Sequence, residues 1–171
     1  MHRECKKYCQ SVAQRFPEKF TGKTVLDCGS LDINGNNRYL FTNCNYTGID
    51  ICKGPNVDIV TSVSHFHPPH PFDVVISTEM LEHDRHLSLS LPAMFDLLRP
   101  GGLLLLTAAG IDRKEHGTFN FDPQSSPATN DYYSPVLASH LTYFLNLEKF
   151  SWYELSYFNT DIRFSGIKRL F

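Results

Sequence analysis

The stretch that most limits what this chain can fold into runs from Val25 to Gly35, Val-Leu-Asp-Cys-Gly-Ser-Leu-Asp-Ile-Asn-Gly, where a short apolar run passes directly into small and polar residues. Val25 and Leu26 have the character of a buried strand. Gly29 lets backbone approach a neighbouring group closely, and Ser30, Asp32, Asn34 and Gly35 carry turn chemistry. This is a β-strand delivering its carboxyl end into a site. Tyr46-Thr47-Gly48-Ile49-Asp50 reads as the next strand, with Asp50 at its end, about twenty residues past the turn, where an acid can grip a ribose diol.

Which nucleoside ligand this suits follows from what is missing. The dinucleotide pattern G-x-G-x-x-G is not present, because Ser30-Leu31 follow Gly29 and the next glycine is Gly35. A pyrophosphate would find fewer close amides here. Asp27, two residues before Gly29, repels phosphate but suits an ammonium, directly or through water. These features favour S-adenosylmethionine over NAD.

Further segments stand in the same order and spacing. Asp27-Cys28-Gly29-Ser30, Gly48-Ile49-Asp50, Phe72-Asp73-Val74-Val75-Ile76-Ser77, Glu79-Met80-Leu81-Glu82-His83 and Leu98-Arg99-Pro100-Gly101-Gly102 succeed one another between Thr24 and Gly110. Over that half of the chain the sequence resembles the class I S-adenosylmethionine-dependent methyltransferases, in particular the small type 11 group, with Ser30 in place of the usual second glycine. The resemblance implies a Rossmann-like, doubly wound, mostly parallel seven-stranded α/β sheet. It implies S-adenosyl-L-methionine as cofactor, held by Asp27, Gly29, Ser30, Asp32, Asn34, Asp50, Ile51, Ser62, Thr78, Glu79 and Met80. Thr61 to Val63 fall where the family contacts adenine.

At 171 residues the chain fits one domain, too short for a separate substrate domain. It divides into an N-terminal helical cap over 1–23, a cofactor-binding core over 24–110, a lid or acceptor loop over 111–134, and a helix plus hairpin over 135–171. A formal charge of −2 without a basic stripe argues against a nucleic-acid backbone as partner. The five cysteines form no C-x-x-C pair, and the first residues lack the apolar core of a signal peptide. A reducing, cytoplasmic setting is expected. No apolar run is long enough to span a membrane.

Tyr8, Val12, Phe16 and Phe20 at four-residue spacing predict a helix over Glu4 to Phe20, interrupted at Pro17. Arg38 to Phe41 supply only a short helix before Tyr46, and Val57 to Val60 read as the third strand, with Asp58 inside it. Phe72 to Ser77, apolar on both faces after its first two residues, has the pattern of a central parallel strand. A helix is expected to start near Glu79, setting it beside Glu82 and His83, and a second to run from Ser88 to Leu98 if Pro92 falls in its first turn. Leu103 to Thr107 read as the fifth strand. Ser134 as N-cap and Pro135 at the first position predict a helix through Phe150. Ser151 to Phe158 and Ile162 to Ile167 then form an antiparallel hairpin about Asn159-Thr160-Asp161.

Histidines raise two questions of chemistry. His65, His67 and His70 have an H-x-H-x-x-H spacing, but Pro68, Pro69 and Pro71 make the segment a stiff solvated loop. Glu79, His83 and His86 suggest a metal face that the resemblance does not need, so no metal is assigned. The expected reaction is methyl transfer to a small-molecule oxygen or nitrogen, with His83 and His116 as candidate bases because imidazole titrates near neutrality. Tyr132 and Tyr133 in the long loop either bind the acceptor or anchor the loop on the core. Three alternatives stay open: a non-catalytic S-adenosylmethionine-binding subunit working with a protein partner or a second copy, a methyltransferase acting on RNA or protein, and, more remotely, an NAD-dependent reductase.

Overall fold

The computed structural model describes residues 2–171. Among them seven strands form one sheet: β1 (Thr24–Cys28), β2 (Asn45–Asp50), β3 (Ile59–Val60), β4 (Phe72–Thr78), β5 (Leu98–Ala109), β6 (Phe150–Phe158) and β7 (Asp161–Lys168). Their spatial order is β3-β2-β1-β4-β5-β7-β6. The first five run parallel, and β7 pairs antiparallel with both β5 and β6. Chain order reverses beside β1, between β2 and β4. In such sheets the carboxyl ends at the reversal open a crevice for ligand.

Alternation along the strands sorts the core into two layers. Val25, Val74, Ile76, Leu103 and Leu105 face α1 (Arg3–Arg15), which buries Cys5, Tyr8, Cys9 and Val12 against them. Leu26, Val75, Leu104 and Leu106 point the other way, onto Leu91, Met94 and Phe95 of α2 (Leu87–Asp96) and Leu141 of α3 (Ala138–Phe144). Covered on both faces, the central strands carry apolar residues at consecutive positions, as a parallel sheet requires. The Rossmann-like, mostly parallel seven-stranded sheet with its terminal hairpin is therefore as expected.

The short helix expected between β1 and β2 is a single 3-10 turn, Arg38–Leu40. Several other local expectations differ. β3 is shorter than predicted: at Asp58 the backbone N–H still donates to Gly48 C=O (2.8 Å), but the side-chain carboxylate takes the Gly48 N–H (2.7 Å) and Arg38 Nη2 (2.8 Å). No helix starts at Glu79, whose φ of 56° puts it in the left-handed region. The chain instead bends there into a 3-10 turn, Leu81–His83. Pro92 sits inside α2 beyond its first turn. Ser134 does not cap a helix, since its N–H donates to Glu82 C=O (2.8 Å) and the Val136 N–H to Ala109 C=O (2.8 Å). Those two bonds hold the segment extended, so α3 begins only at Ala138 and ends at Phe144. Among the described residues no helix is long and apolar enough to cross a membrane.

Phe164 of β7 is fully buried against Phe150, with ring centroids 5.3 Å apart. Phe164→Ala should cost about 3–5 kcal/mol in chemical denaturation. Tyr143→Ala, at a side chain 84% exposed, should stay within about 0.5 kcal/mol of the wild type.

Candidate active site

The carboxyl ends of β1, β2 and β4 enclose a cavity of about 780 Å³. Its floor is the turn after β1. Gly29, at φ 78°, brings the backbone under Met80, whose side chain occupies the space a Cβ would need. The Gly29 and Ser30 N–H groups both donate to Ile49 C=O, at 2.9 and 3.0 Å. Asn56 Nδ2 donates to Ser30 C=O (2.9 Å), and Asn37 Nδ2 ties the same loop to Thr78 Oγ1 of β4 (3.0 Å).

Two acids face this floor. Asp27 is buried, and the Tyr46 hydroxyl (2.6 Å) and Asn56 Nδ2 (3.4 Å) both donate to its Oδ2, leaving Oδ1 for another donor. Burial pushes its carboxyl up to about 6, against the pull of Tyr46, Asn56 and the Arg38 charge. Asp50 ends β2, and its two oxygens accept the backbone N–H groups of Cys52 (2.8 Å) and Leu31 (3.2 Å). Burial raises its pKa, opposed by those amides. Each Asp50 oxygen keeps a lone pair for a diol.

Of the residues expected at the cofactor, Asp27, Gly29, Ser30, Asn34, Asp50, Ile51, Ser62, Thr78, Glu79 and Met80 all line the cavity. Asp32 does not. Its carboxylate closes its own turn, accepting Gly35 N (2.6 Å) and Asn36 Nδ2 (2.5 Å). Both His83 and His116 reach the cavity wall. Tyr132 and Tyr133 are not among the residues that line it. Tyr132 lies under Arg85 (5.3 Å), while the Tyr133 ring meets His83 at a tilt and His116 edge-on, and its hydroxyl donates to Arg113 C=O (3.2 Å).

Two groups at the site carry no local signal in the sequence. His2 Nε2 donates to Asp161 Oδ2 (2.7 Å) and its Nδ1 lies 3.1 Å from Glu79 Oε2. Asp161 also takes Arg113 Nη1 (2.7 Å), and Thr107 Oγ1 donates to Glu79 Oε1 (3.0 Å). The Asp161 hydrogen bond, followed by the Glu79 contact, pushes His2 up to about 10. These residues meet only through the sheet, so spacing in sequence cannot reveal them. The loop residues Ser125 to Thr129 complete the rim.

Glu82, wholly buried, has neither carboxyl oxygen in a hydrogen bond. Burial, with the nearby Glu79 charge, pushes it up to about 8, though nearby backbone amides and the Arg113 charge oppose the shift. Burial, then the charge of His116, pushes His83 down to about 4.

A parallel sheet with its terminal hairpin reversed and two acids at the switch point defines the architecture of the class I S-adenosylmethionine-dependent methyltransferases. A sequence profile of the methyltransferase domain matches residues 1–160, and the chain belongs to that family. No curated protein matches the sequence. Among solved structures, the chain is similar to 1,6-didemethyltoxoflavin-N1-methyltransferase of Burkholderia thailandensis, bound to 1,6-didemethyltoxoflavin and S-adenosylhomocysteine (TM-score 0.67, 14% identity, 96% of this chain and 78% of that one). It is also similar to phosphoethanolamine N-methyltransferase 2 of Haemonchus contortus with S-adenosyl-L-methionine (TM-score 0.66, 16% identity, 95% of this chain), of which it spans 52%. A third is the N-methyltransferase NodS of Bradyrhizobium japonicum with S-adenosylhomocysteine (TM-score 0.63, 13% identity, 95% of this chain and 86% of that one).

Glu82 yields a pH prediction. Its carboxyl has an ordinary value of 4.5, while the fold holds the proton to about 8. Between those values the unfolded chain has released a proton that the folded chain keeps, so stability falls as pH rises. Glu82→Gln removes that loss. In EDTA buffer its stability relative to wild type should climb steadily from about pH 5 to pH 8, and parallel urea-denaturation curves for the two proteins would contradict the assignment.

Proposed function

We propose that this chain binds S-adenosylmethionine in the strand-end cavity and transfers its methyl group to a small-molecule oxygen or nitrogen acceptor. The observation that carries the reading is the convergence of Asp27, Gly29 and Asp50 on one cavity inside the methyltransferase fold. The residues fit the donor chemically. Asp50 offers paired lone pairs to a ribose diol, and Ile51, 49% exposed beside it, gives an apolar face for a base. Asp27 Oδ1, not used by Tyr46 or Asn56, is free to receive an amino group. Ser30 Oγ, buried without a partner, offers one more polar contact.

S-adenosylmethionine supplies an electrophilic methyl on a sulfonium sulfur, so the protein's task is chiefly alignment, which can contribute several kcal/mol. The acids at the floor favour that positive ligand electrostatically. The acceptor would sit toward Glu82, His83 and His116, beneath the 111–134 loop. His83, with its pKa depressed to about 4, stays neutral and keeps one lone pair facing the acceptor end through the neutral range. The solved structures named above include three enzymes whose names specify nitrogen acceptors, and a fourth similar structure is a carbon methyltransferase. That range supports a small molecule while leaving the atom to a screen.

Calorimetric titration with S-adenosylhomocysteine should give micromolar binding, roughly −8 kcal/mol. Asp50→Ala should weaken it at least tenfold, about 1.4 kcal/mol. A folded chain that binds nothing contradicts the reading. In an acceptor screen read by S-adenosylhomocysteine production, His83→Ala and His116→Ala should each depress turnover while leaving S-adenosylhomocysteine affinity near that of the wild type. Unchanged turnover in both would remove the two imidazoles from the chemistry.

A further inference from the structure

Two clusters among the described residues bring three metal-capable side chains together: His2, Glu79 and Asp161, and Glu82, His83 and His116. In the first, both carboxylates are already ion-paired, by His2 and Arg113, although His2 Nδ1 makes no hydrogen bond. In the second, Glu82 is fully buried, and both of its carboxyl oxygens and His83 Nδ1 lack any hydrogen-bond partner. Such a carboxyl stays neutral while unpaired, and a cation entering against it would displace its proton and take up the two unused oxygens.

We propose that Glu82, His83 and His116 form a binding site for a divalent transition-metal cation at the acceptor end of the cavity. One ligand atom from each residue lies within 4.8 Å of the others. Glu82 Oε1 and His116 Nε2 are 3.8 Å apart. That is too long for a hydrogen bond, yet inside the roughly 4.2 Å that two metal–ligand bonds of about 2.1 Å can span.

The surroundings are also those of a ligand set. His116 Nδ1 lies 3.0 Å from Lys114 C=O. In the tautomer that donates along this contact, the lone pair is on Nε2, the nitrogen 3.8 Å from Glu82 Oε1, and such an outer hydrogen bond is what orients a metal-bound imidazole. Tyr133 packs on both imidazoles, at 5.6 and 5.1 Å. Gly117, at φ 65°, brings the loop so near that a Cβ would come within 2.7 Å of His83 Cε1. The long loop is thereby held where it presents His116 to the other two residues.

Two nitrogens and one carboxylate match the borderline cations, zinc, iron(II), cobalt(II) and nickel(II), better than magnesium or calcium. Three protein ligands leave a position open. Both histidines line the cavity, so that position faces the space assigned to the acceptor. The assignment rests on the preceding reading only for what would enter there, since the cation site itself stands on the cluster.

The test uses the full chain, stripped of metal with a chelating resin and titrated with Co²⁺, followed by visible absorption and calorimetry. One Co²⁺ per chain is expected, with d–d bands of a low-symmetry nitrogen and oxygen site and a raised melting temperature. Glu82→Gln and His116→Ala should each weaken Co²⁺ binding at least tenfold, and His2→Ala should leave it unchanged. Should Glu82→Gln fail to fold, His116→Ala, on a partly exposed loop side chain, carries the test. A folded wild-type chain that takes up no Co²⁺, or uptake that survives both variants, or uptake lost only in His2→Ala, overturns the proposal. S-adenosylhomocysteine binding to the stripped chain is measured separately. Binding there without Co²⁺ uptake overturns the cation site and leaves the methyl-donor reading standing, and the reverse result does the opposite.

Discussion

The Ile49 carbonyl, accepting the N–H groups of both Gly29 and Ser30, is the contact on which the site depends. It folds the end of β1 across the end of β2 and sets where the chain turns as it leaves the sheet. With that turn pinned, Asp27 lies beneath it and Asp50 reaches back to the Leu31 N–H, so two acids from adjacent strands face one cavity. The side-chain amides of Asn56 and Asn37 lock the same loop to its neighbours. Where this sheet commonly feeds a long crossover helix, the chain spends a single 3-10 turn, Arg38–Leu40. Hydrogen bonds from named side chains, more than a helix terminus, therefore hold the backbone in place.

How much of this was legible in the sequence depends on how local the cause is. Phe72 to Ser77 and Leu103 to Thr107 read correctly as strands because burial on both faces leaves a continuous apolar mark. The terminal hairpin declares itself by alternation and by Asn159, which takes the left-handed conformation at the turn. The acids and Gly29 were readable because a strand-end turn is a short-range device. Elsewhere long-range bonds overrode local preference. Ser134 and Pro135 have the chemistry of a helix start, yet the Ser134 N–H is claimed by Glu82, over fifty positions away in the chain. Glu79 belongs to a helical pattern but is turned out of it at β4's end, so Glu79, His83 and His86 share no face. Asp32 carries an acid in the right segment and spends it on its own turn. His2 and Arg113 were invisible, because only the folded sheet sets them beside Glu79 and Asp161.

Electrostatics divides the cavity into two regions. At one end, Asp27 and Asp50 stand on backbone amides and neutral donors, which leaves net negative character suited to a cationic nucleoside. Further in, Glu79 and Asp161 are balanced by His2 and Arg113, giving a neutralised partition. Beyond it Glu82 has no such balance, and that asymmetry distinguishes an ion-paired structural network from a set of free ligands. The 111–134 loop joins the two functions, since it supplies Arg113 to the network and His116 to the unpaired cluster.

The central claim is that S-adenosylmethionine lies across the ends of β1, β2 and β4. A crystal structure of the chain grown with S-adenosylhomocysteine tests it most directly. The account predicts ribose hydroxyls on the Asp50 carboxylate, the amino group on the Asp27 side beside Gly29, and the sulfur directed toward His83 and His116. A ligand bound elsewhere, or with its ribose away from Asp50 and its amino group away from Asp27, would contradict it.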